Sequence, residues 1–458
     1  QQAEGWQLNP YEENSKTHEL EETGKVASTG FYANTVNQKF TFDATDKLSF
    51  YARGGYYDNK TRRPYEAYDY NILHETFNYG IGTQYMISKG NYITADYYAD
   101  HFSSSYCFFK DNKTYNGKAG EEQVRKRTRN HNLSIKGIFK LGNRHKLSVG
   151  TEYIVDVLKS QTDNIAKEDA YTLALFAQDE IKLLRNLQAL IGVRYIYHEN
   201  FKNHATPNVA LMYKPGKFNF RASYAAGFRT PTLSELYATD IAKKNDRLTI
   251  GNLDLKPEKN NYFSLSAEYV HERFSVSVNA FYNNIRDMID YNTIATGDKA
   301  MEQYGHKEVR QRDNIAEAKV HGINVSANAY LGAGFNLSGG YTHLNTQDVE
   351  LEQPIDKSIK NAYNINAQWA HSWKIYRLNI NLNGRFNSKR FSKSYGYAPE
   401  YQLWDLNTRH SFNLKSVIIE PGCGIENLFD YTDDRPYNSN YATLTPGRSF
   451  YISLSLKF

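Results

Sequence analysis

GRSFYISLSLKF, residues 447–458, alternates without a break. Phe450, Ile452, Leu454, Leu456 and Phe458 fall on one side of an extended strand, and Tyr451, Ser453, Ser455 and Lys457 on the other. Such a strand, ending on an aromatic residue, suits the wall of an outer-membrane barrel. Its apolar face meets lipid and its polar face a wet or filled lumen. A soluble sandwich can also end on an amphipathic strand, so the rest of the chain decides.

Working outward from that stretch, the same period of two recurs along the whole chain. About nineteen segments carry it between residues 29 and 458. In RLNINLNGR (377–385), Leu378, Ile380 and Leu382 oppose Asn379, Asn381, Asn383 and Arg385. Farther upstream, Ile323, Val325, Ala327, Ala329 and Leu331 oppose Asn324, Ser326, Asn328 and Tyr330. No helical periodicity competes over a comparable length. Short turns such as SKGN, LGNRH, KPGK and LGAG follow the first strand of each pair, whereas longer polar segments (58–73, 107–125, 227–260, 293–307, 429–446) mostly follow the second. A membrane barrel sorts its connections this way, with the long loops outside the cell.

The expected fold class is therefore all-β, a transmembrane antiparallel β-barrel. Counting back from a periplasmic Phe458 makes residues 1–28 an extracellular loop and 29–458 the C-terminal part of the barrel. The first strands are expected to lie upstream of Gln1, which leaves the strand near Gly30 with an edge that does not pair with 447–458.

Composition agrees with a barrel. Hydrophobic residues make up 40% and mean hydropathy is −0.69, so no apolar run spans a bilayer as a helix. The 38 tyrosines suit strands and interfacial girdles. A net charge of +5 gives no basis for a nucleic-acid partner, and the densest basic run, Arg125 to Arg129, reads as a solvated strand end. Cys107 and Cys423 are too few for a disulfide framework, and Cys423 lies in phase with Val417, Ile419 and Ile425. No HExxH, P-loop or GxGxxG occurs, so no catalytic residue or metal ligand set is assigned and no enzyme is expected.

Residues 227–260 carry the most information. Gly227-Phe228-Arg229-Thr230-Pro231 precedes Leu233, Glu235, Leu236 and Tyr237, and Gly251-Asn252-Leu253-Asp254-Leu255-Lys256-Pro257-Glu258 follows. In their order with Tyr282-Asn283-Asn284-Ile285 and Ile289, Val320-His321-Gly322-Ile323, Glu426-Asn427-Leu428-Phe429-Asp430 and the aromatic end, these segments resemble TonB-dependent outer-membrane transporters. FRTP is similar to that family's FRAP box and GNLDLKPE to its NPNL-type box. The matching motif residues are Phe228, Arg229, Pro231, Asn252 and Leu255. Proline stops strand pairing and glycine permits tight turns, so the boxes also read as barrel-edge architecture.

The resemblance implies a 22-stranded barrel in the bacterial outer membrane, an N-terminal plug absent from these residues, and coupling to the TonB complex through that missing part. It implies no bound cofactor; the transported ligand is a ferric siderophore or related iron chelate, with haem or cobalamin as alternatives and a passive channel as a different class. A surface lipoprotein partner is compatible with it. Residues 232–251 hold no histidine, which lowers the haem reading, while His74, His101 and His306 near outer ends read as surface or hydrogen-bonding groups. Lys243, Lys244 and Arg247 with Tyr237, and Arg62, Arg63 and Tyr68 beside Tyr65 and Tyr70, are the candidate ligand-binding residues. Cations mixed with aromatic rings suit a bulky anionic chelate, and solvated loop charge is the plainer alternative.

Overall fold

A computed structural model describes residues 2–3, 11–14, 17, 19–22, 29–63, 65, 68–242, 246–392, 396–414, 416–432 and 447–457. Phe458, Lys243 and Lys244 lie outside these residues.

One sheet of 22 strands forms the body. Three of its members are short: Gln2–Ala3, Thr239–Ala242 and Arg247–Ile250. The other nineteen are β1 (Gly30–Thr45), β2 (Leu48–Arg62), β3 (Tyr70–Ser88), β4 (Asn91–Phe108), β5 (Glu122–Leu141), β6 (His145–Ser160), β7 (Ile165–Leu184), β8 (Leu187–His198), β9 (Lys202–Tyr213), β10 (Phe218–Arg229), β11 (Glu258–Val270), β12 (Phe274–Thr296), β13 (Glu308–Gly332), β14 (Phe335–Asp348), β15 (Asn361–Trp373), β16 (Tyr376–Asn387), β17 (Tyr401–Leu414), β18 (Val417–Glu426) and β19 (Ser449–Lys457). Each pairs antiparallel with the next. Among the described residues no ladder joins β19 to β1, and the sheet is open. At that edge of β1, among the described residues, Gln2 and Ala3 pair with Tyr32 and Phe31. Tyr11–Glu13 and Leu20–Glu22 form a separate two-stranded ribbon.

The period of two fixes what faces where. On β19, Lys457 reaches Glu420 at 2.8 Å and Tyr451 donates to Asn407 at 2.7 Å. The opposite face bears Ile452 and Leu454, 89% and 66% exposed, with no protein cover. Cross-strand partners carry this parity around the sheet. The polar face pairs Arg194 with Glu152 at 2.5 Å and Lys146 with Glu180 at 2.9 Å, and Tyr51 donates to Asp96 at 2.6 Å. Asn366 donates to Asn381 at 2.7 Å, among the asparagines opposite Leu378 and Ile380. Cys423 is exposed, its partner Ile452 placing it on the apolar face, and both cysteines are free thiols.

Two aromatic belts bound that face. Near the short turns, Phe335, Trp369, Trp373, Tyr376 and Phe412 form one run of ring contacts. Toward the long loops, Phe77, Tyr79 and Tyr97 form another, as do Tyr153, Tyr171 and Tyr197. Rings at both ends of an apolar band are what the two bilayer interfaces select. Among the turns, LGAG shows why glycine is needed: Gly334 has φ 88°, and a Cβ there would run into the Ala370 carbonyl oxygen.

Parity makes a sharp prediction on β13. Ile323 shares the apolar face with Ala280 and His343, and Asn324 the polar face with Thr342. Ile323→Arg should cost about 2–4 kcal/mol and Asn324→Arg much less. Heat-modifiable electrophoretic mobility after folding in detergent reads the difference; equal losses would remove the assignment of faces.

Candidate functional site

At the long-loop end the two boxes come together as a junction. β10 ends on Arg229, and Thr232 caps a single turn of helix, α1 (Leu233–Tyr237). A reciprocal capping box makes that turn: Thr232 Oγ1 accepts from the Glu235 amide at 3.2 Å, and the Glu235 carboxylate accepts from the Thr232 amide at 2.8 Å.

The same carboxylate meets Arg229, whose Nη1 donates to Glu235 Oε2 at 2.9 Å. On its other edge Arg229 donates to Glu258 through Nε at 2.8 Å and Nη2 at 2.6 Å. Glu258 Oε1 also accepts from the Ile289 amide at 2.8 Å. One guanidinium therefore holds the first box, the end of the second and β12 together, in the bidentate geometry that lysine cannot make. Burial alone would raise the Glu235 carboxyl's pKa; Arg229 and the Thr232 amide outweigh it and hold it below the ordinary range.

Beneath this fork Leu236, Leu255 and Ile289 form a buried cluster with Tyr237 and Phe201 against it. Pro231 and Pro257 are buried as well. The Gly251 amide donates to Ala238 and the Asn252 amide to the Glu235 carbonyl, at 2.7 and 3.0 Å. Asn252 turns its own Oδ1 to the Asp254 amide at 2.9 Å. A Cβ on Gly251 would stand 2.5 Å from the Leu236 carbonyl oxygen. Phe228 stacks on His204, ring centroids 4.6 Å apart. Asn314 of β13 closes the junction, accepting from the Lys256 amide at 2.7 Å and donating to the Asp287 carbonyl at 2.6 Å. Every described contact of the box residues is thus structural; Asn314 is a partner that no motif spacing pointed to, while Glu258 and Ile289 are motif residues whose bonds to Arg229 and to each other the spacing did not give.

Beyond α1, the described parts of the segment between the boxes are paired strands. Thr239–Ala242 pairs with Arg247–Ile250, and the latter runs parallel to the start of β13. Leu248 and Ile250 pack on Ala295, Ala300 and Val309, beside a second helix, α2 (Gly297–Tyr304). His306 Nδ1 lies 2.8 Å from Asp246 Oδ1. Arg247 is therefore part of a ladder, and Lys243 and Lys244, expected beside it, fall outside the described residues. Of the other two histidines, His74 stacks on Phe102 and His101 sits edge-on to His131.

The second candidate group assembles at the tops of β2–β5. Arg63 covers the rings of Tyr68 and Tyr70 at 4.6 and 5.0 Å. Tyr70 stacks on Tyr106 at 4.1 Å, and Tyr115 meets both edge-on. Arg125 lies over Tyr106 and Tyr115 at 5.3 and 4.9 Å. Lys110 covers Tyr65 at 3.8 Å, which stacks on Phe109. Parity puts Tyr70 and Tyr106 on the lumen face, in phase with Gly82 and Asp96. Burial pushes the Tyr115 phenol up, so its hydroxyl keeps its proton. The result is a mouth lined by ring faces and two guanidiniums. Arg63, Tyr68 and Tyr70 were expected as neighbours; Tyr106, Tyr115 and Arg125 belong to the next hairpin and were not. Arg62 ends β2.

Two variants test the junction. Gly251→Ala should loosen it, read as faster proteolysis between 231 and 257 with little effect on the barrel strands. For Arg229 the sign follows from linkage: Glu235, with its folded pKa depressed, contributes stability that is full above its unfolded value of about 4.3 and lost as pH falls through the folded one. Arg229→Gln leaves the burial and removes the partner, so the acid-induced opening of the loop should move to higher pH. An unchanged proteolysis profile from pH 7 to 3 would refute it.

Comparison with known proteins agrees with this architecture. Residues 8–428 match the family described as TonB dependent receptor-like, beta-barrel. Among solved structures, a mutant of the ferric enterobactin receptor PfeA of Pseudomonas aeruginosa superposes with TM-score 0.83 at 15% identity, covering 100% of this chain and 74% of that one. The siderophore receptor PirA of P. aeruginosa gives 0.72 at 17%, with 94% and 71% covered. The FrpB iron transporter of Neisseria meningitidis gives 0.72 at 14%, with 98% and 74% covered. At such identities the superpositions speak for the fold, and the match over 8–428 speaks for descent: the chain belongs to the TonB-dependent receptor family, transporters of the outer membrane.

Proposed function

We propose that this chain takes up a ferric siderophore of anionic, aromatic character, such as an iron catecholate. The observation that carries the reading is the mouth cluster, where Arg63 and Arg125 flank a stack of Tyr70, Tyr106 and Tyr115. Cations supply charge attraction and ring faces supply stacking for a flat, electron-rich ligand arm, each contact contributing about 0.5–1.5 kcal/mol. The siderophore and enterobactin receptors among the similar folds support it. A PfeA mutant has been captured with enterobactin itself. Energy coupling through TonB is part of the proposal and rests on family membership. Lys243, Lys244, Arg247 and Tyr237 belong to it as an outer recruiting segment. Haem and cobalamin are the competing ligands.

The test is a titration of ferric tris-catecholate, haem and cyanocobalamin by fluorescence quenching. The chelate should bind in preference to the other two. Arg63→Gln with Arg125→Gln should weaken it by roughly tenfold, more at low ionic strength, because exposed charge is screened by salt. Preference for haem or cobalamin, or an unaffected double variant, would overturn the proposal.

A further inference from the structure

The basic run at the top of β5 divides between the two faces of the wall. The register shifts between Ser104 and Ser105 of β4, leaving Arg125 as an extra residue on β5. It turns onto Tyr106 and Tyr115 and donates to Gln161 at 2.9 Å. Lys126 pairs with Asp163 at 3.4 Å. Beyond the bulge, Arg127 and Arg129 share the face of Leu133 and Ile135, the apolar one. Lys159 lies directly opposite Arg127 on β6. All three are exposed, and none has an ion pair or hydrogen bond among the described residues.

Like charges directly opposite each other destabilise a ladder unless something neutralises them. Nearby carboxylates on this face are engaged elsewhere. Glu75 accepts from Tyr56 at 3.0 Å and Ser103 at 3.4 Å, and Asp169 pairs with Lys167 at 3.0 Å. A cleft of about 560 Å³ opens beside Arg127 and Lys159, lined also by Tyr115, Arg125, Lys126 and Gln161, and no carboxylate lines it. Position along the strand supplies the occupant. Leu133 lies between Tyr97 and Tyr153, two rings of the belt on the long-loop side. Arg129 stands four residues above it, about 13 Å along the strand. Side chains that point outward just beyond an aromatic belt lie in the headgroup layer.

We propose that Arg127, Arg129 and Lys159 form a docking site for the phosphate of a phosphorylated lipid in the outer leaflet. By parity these three side chains leave the wall on the face opposite Tyr70 and Tyr106, so the proposal does not depend on the ligand the lumen carries. Long cationic side chains lay their stems along apolar surface and place their charge among phosphates. A phosphate between Arg127 and Lys159 would replace repulsion by two charge-assisted contacts.

The full chain in mild detergent, examined by native mass spectrometry, provides the test. The probes are bis-phosphorylated lipid A and the same lipid with both phosphates removed. Wild type should retain the phosphorylated lipid at least tenfold better. Arg127→Ala with Arg129→Ala and Lys159→Ala should abolish that preference, while Arg127→Lys with Arg129→Lys and Lys159→Arg should keep it. Heat-modifiable mobility checks folding, and if the alanine variant does not fold, the two lipids on wild type and the charge-keeping variant decide. Equal retention of both lipids, an alanine variant as good as wild type, or displacement of the lipid by equimolar inorganic pyrophosphate would overturn the proposal; the last would mark a site for soluble anions.

Discussion

A strand that crosses lipid must find every backbone partner inside the sheet, since the hydrocarbon offers none. That constraint sets the rest of this structure. It requires long neighbouring strands in register, so nineteen of them follow one another with each paired to the next in sequence. It also hands the side chains a period of two, with one face apolar and unpartnered and the other crowded with Asn, Ser, Tyr and paired charges. Loops are then free of the membrane only at the ends, and the site sits where the longest connections are.

The junction of the two boxes solves a problem created by that arrangement. The connection from β10 to β11 is long, yet its ends are adjacent strands. Arg229 bridges Glu235 and Glu258, the capping box fixes the turn, and Leu236 with Leu255 gives it a small core. Its contacts are mutual, so the loop is anchored at its root. Asp163 belongs to the same anchoring: it accepts from Ser234 at 3.2 Å and from the Thr239 amide at 2.8 Å. The mouth cluster is built on separate strands, β2 to β5, and Lys126 of β5, next to Arg125, links it to this anchor by pairing with Asp163 at 3.4 Å.

What was legible in the sequence was what a period can carry. Nineteen alternating segments and the sorting of short and long connections are one-dimensional signals, and they correspond to the strands and turns observed. The faces were legible too: Ile323 against Asn324 and Cys423 with Ile419 stand as their phase required. The bridging of the two boxes by Arg229 was not, because Glu235 and Glu258 lie 6 and 29 residues away and the order of the boxes does not say that one guanidinium spans both. Arg63, Tyr68 and Tyr70 could be grouped because one loop holds them. Tyr106, Tyr115 and Arg125 join them only through the pairing of β3, β4 and β5. The run from Arg125 to Arg129 looked like a single solvated patch because composition does not register a bulge.

That bulge has a consequence for how the wall can be divided into functions. A strand obeys one phase from end to end, so a residue type useful inside the lumen falls out of step with whatever the membrane side demands above it. One extra residue at Arg125 resets the count. Below it β5 is phased by lipid; above it the phase is set by the vestibule, and Gln123 lines up with Tyr106 while Val124 lines up with Ser105. The two halves of one strand can therefore change independently, the upper half retuned for a different cargo without any residue in the bilayer being turned around.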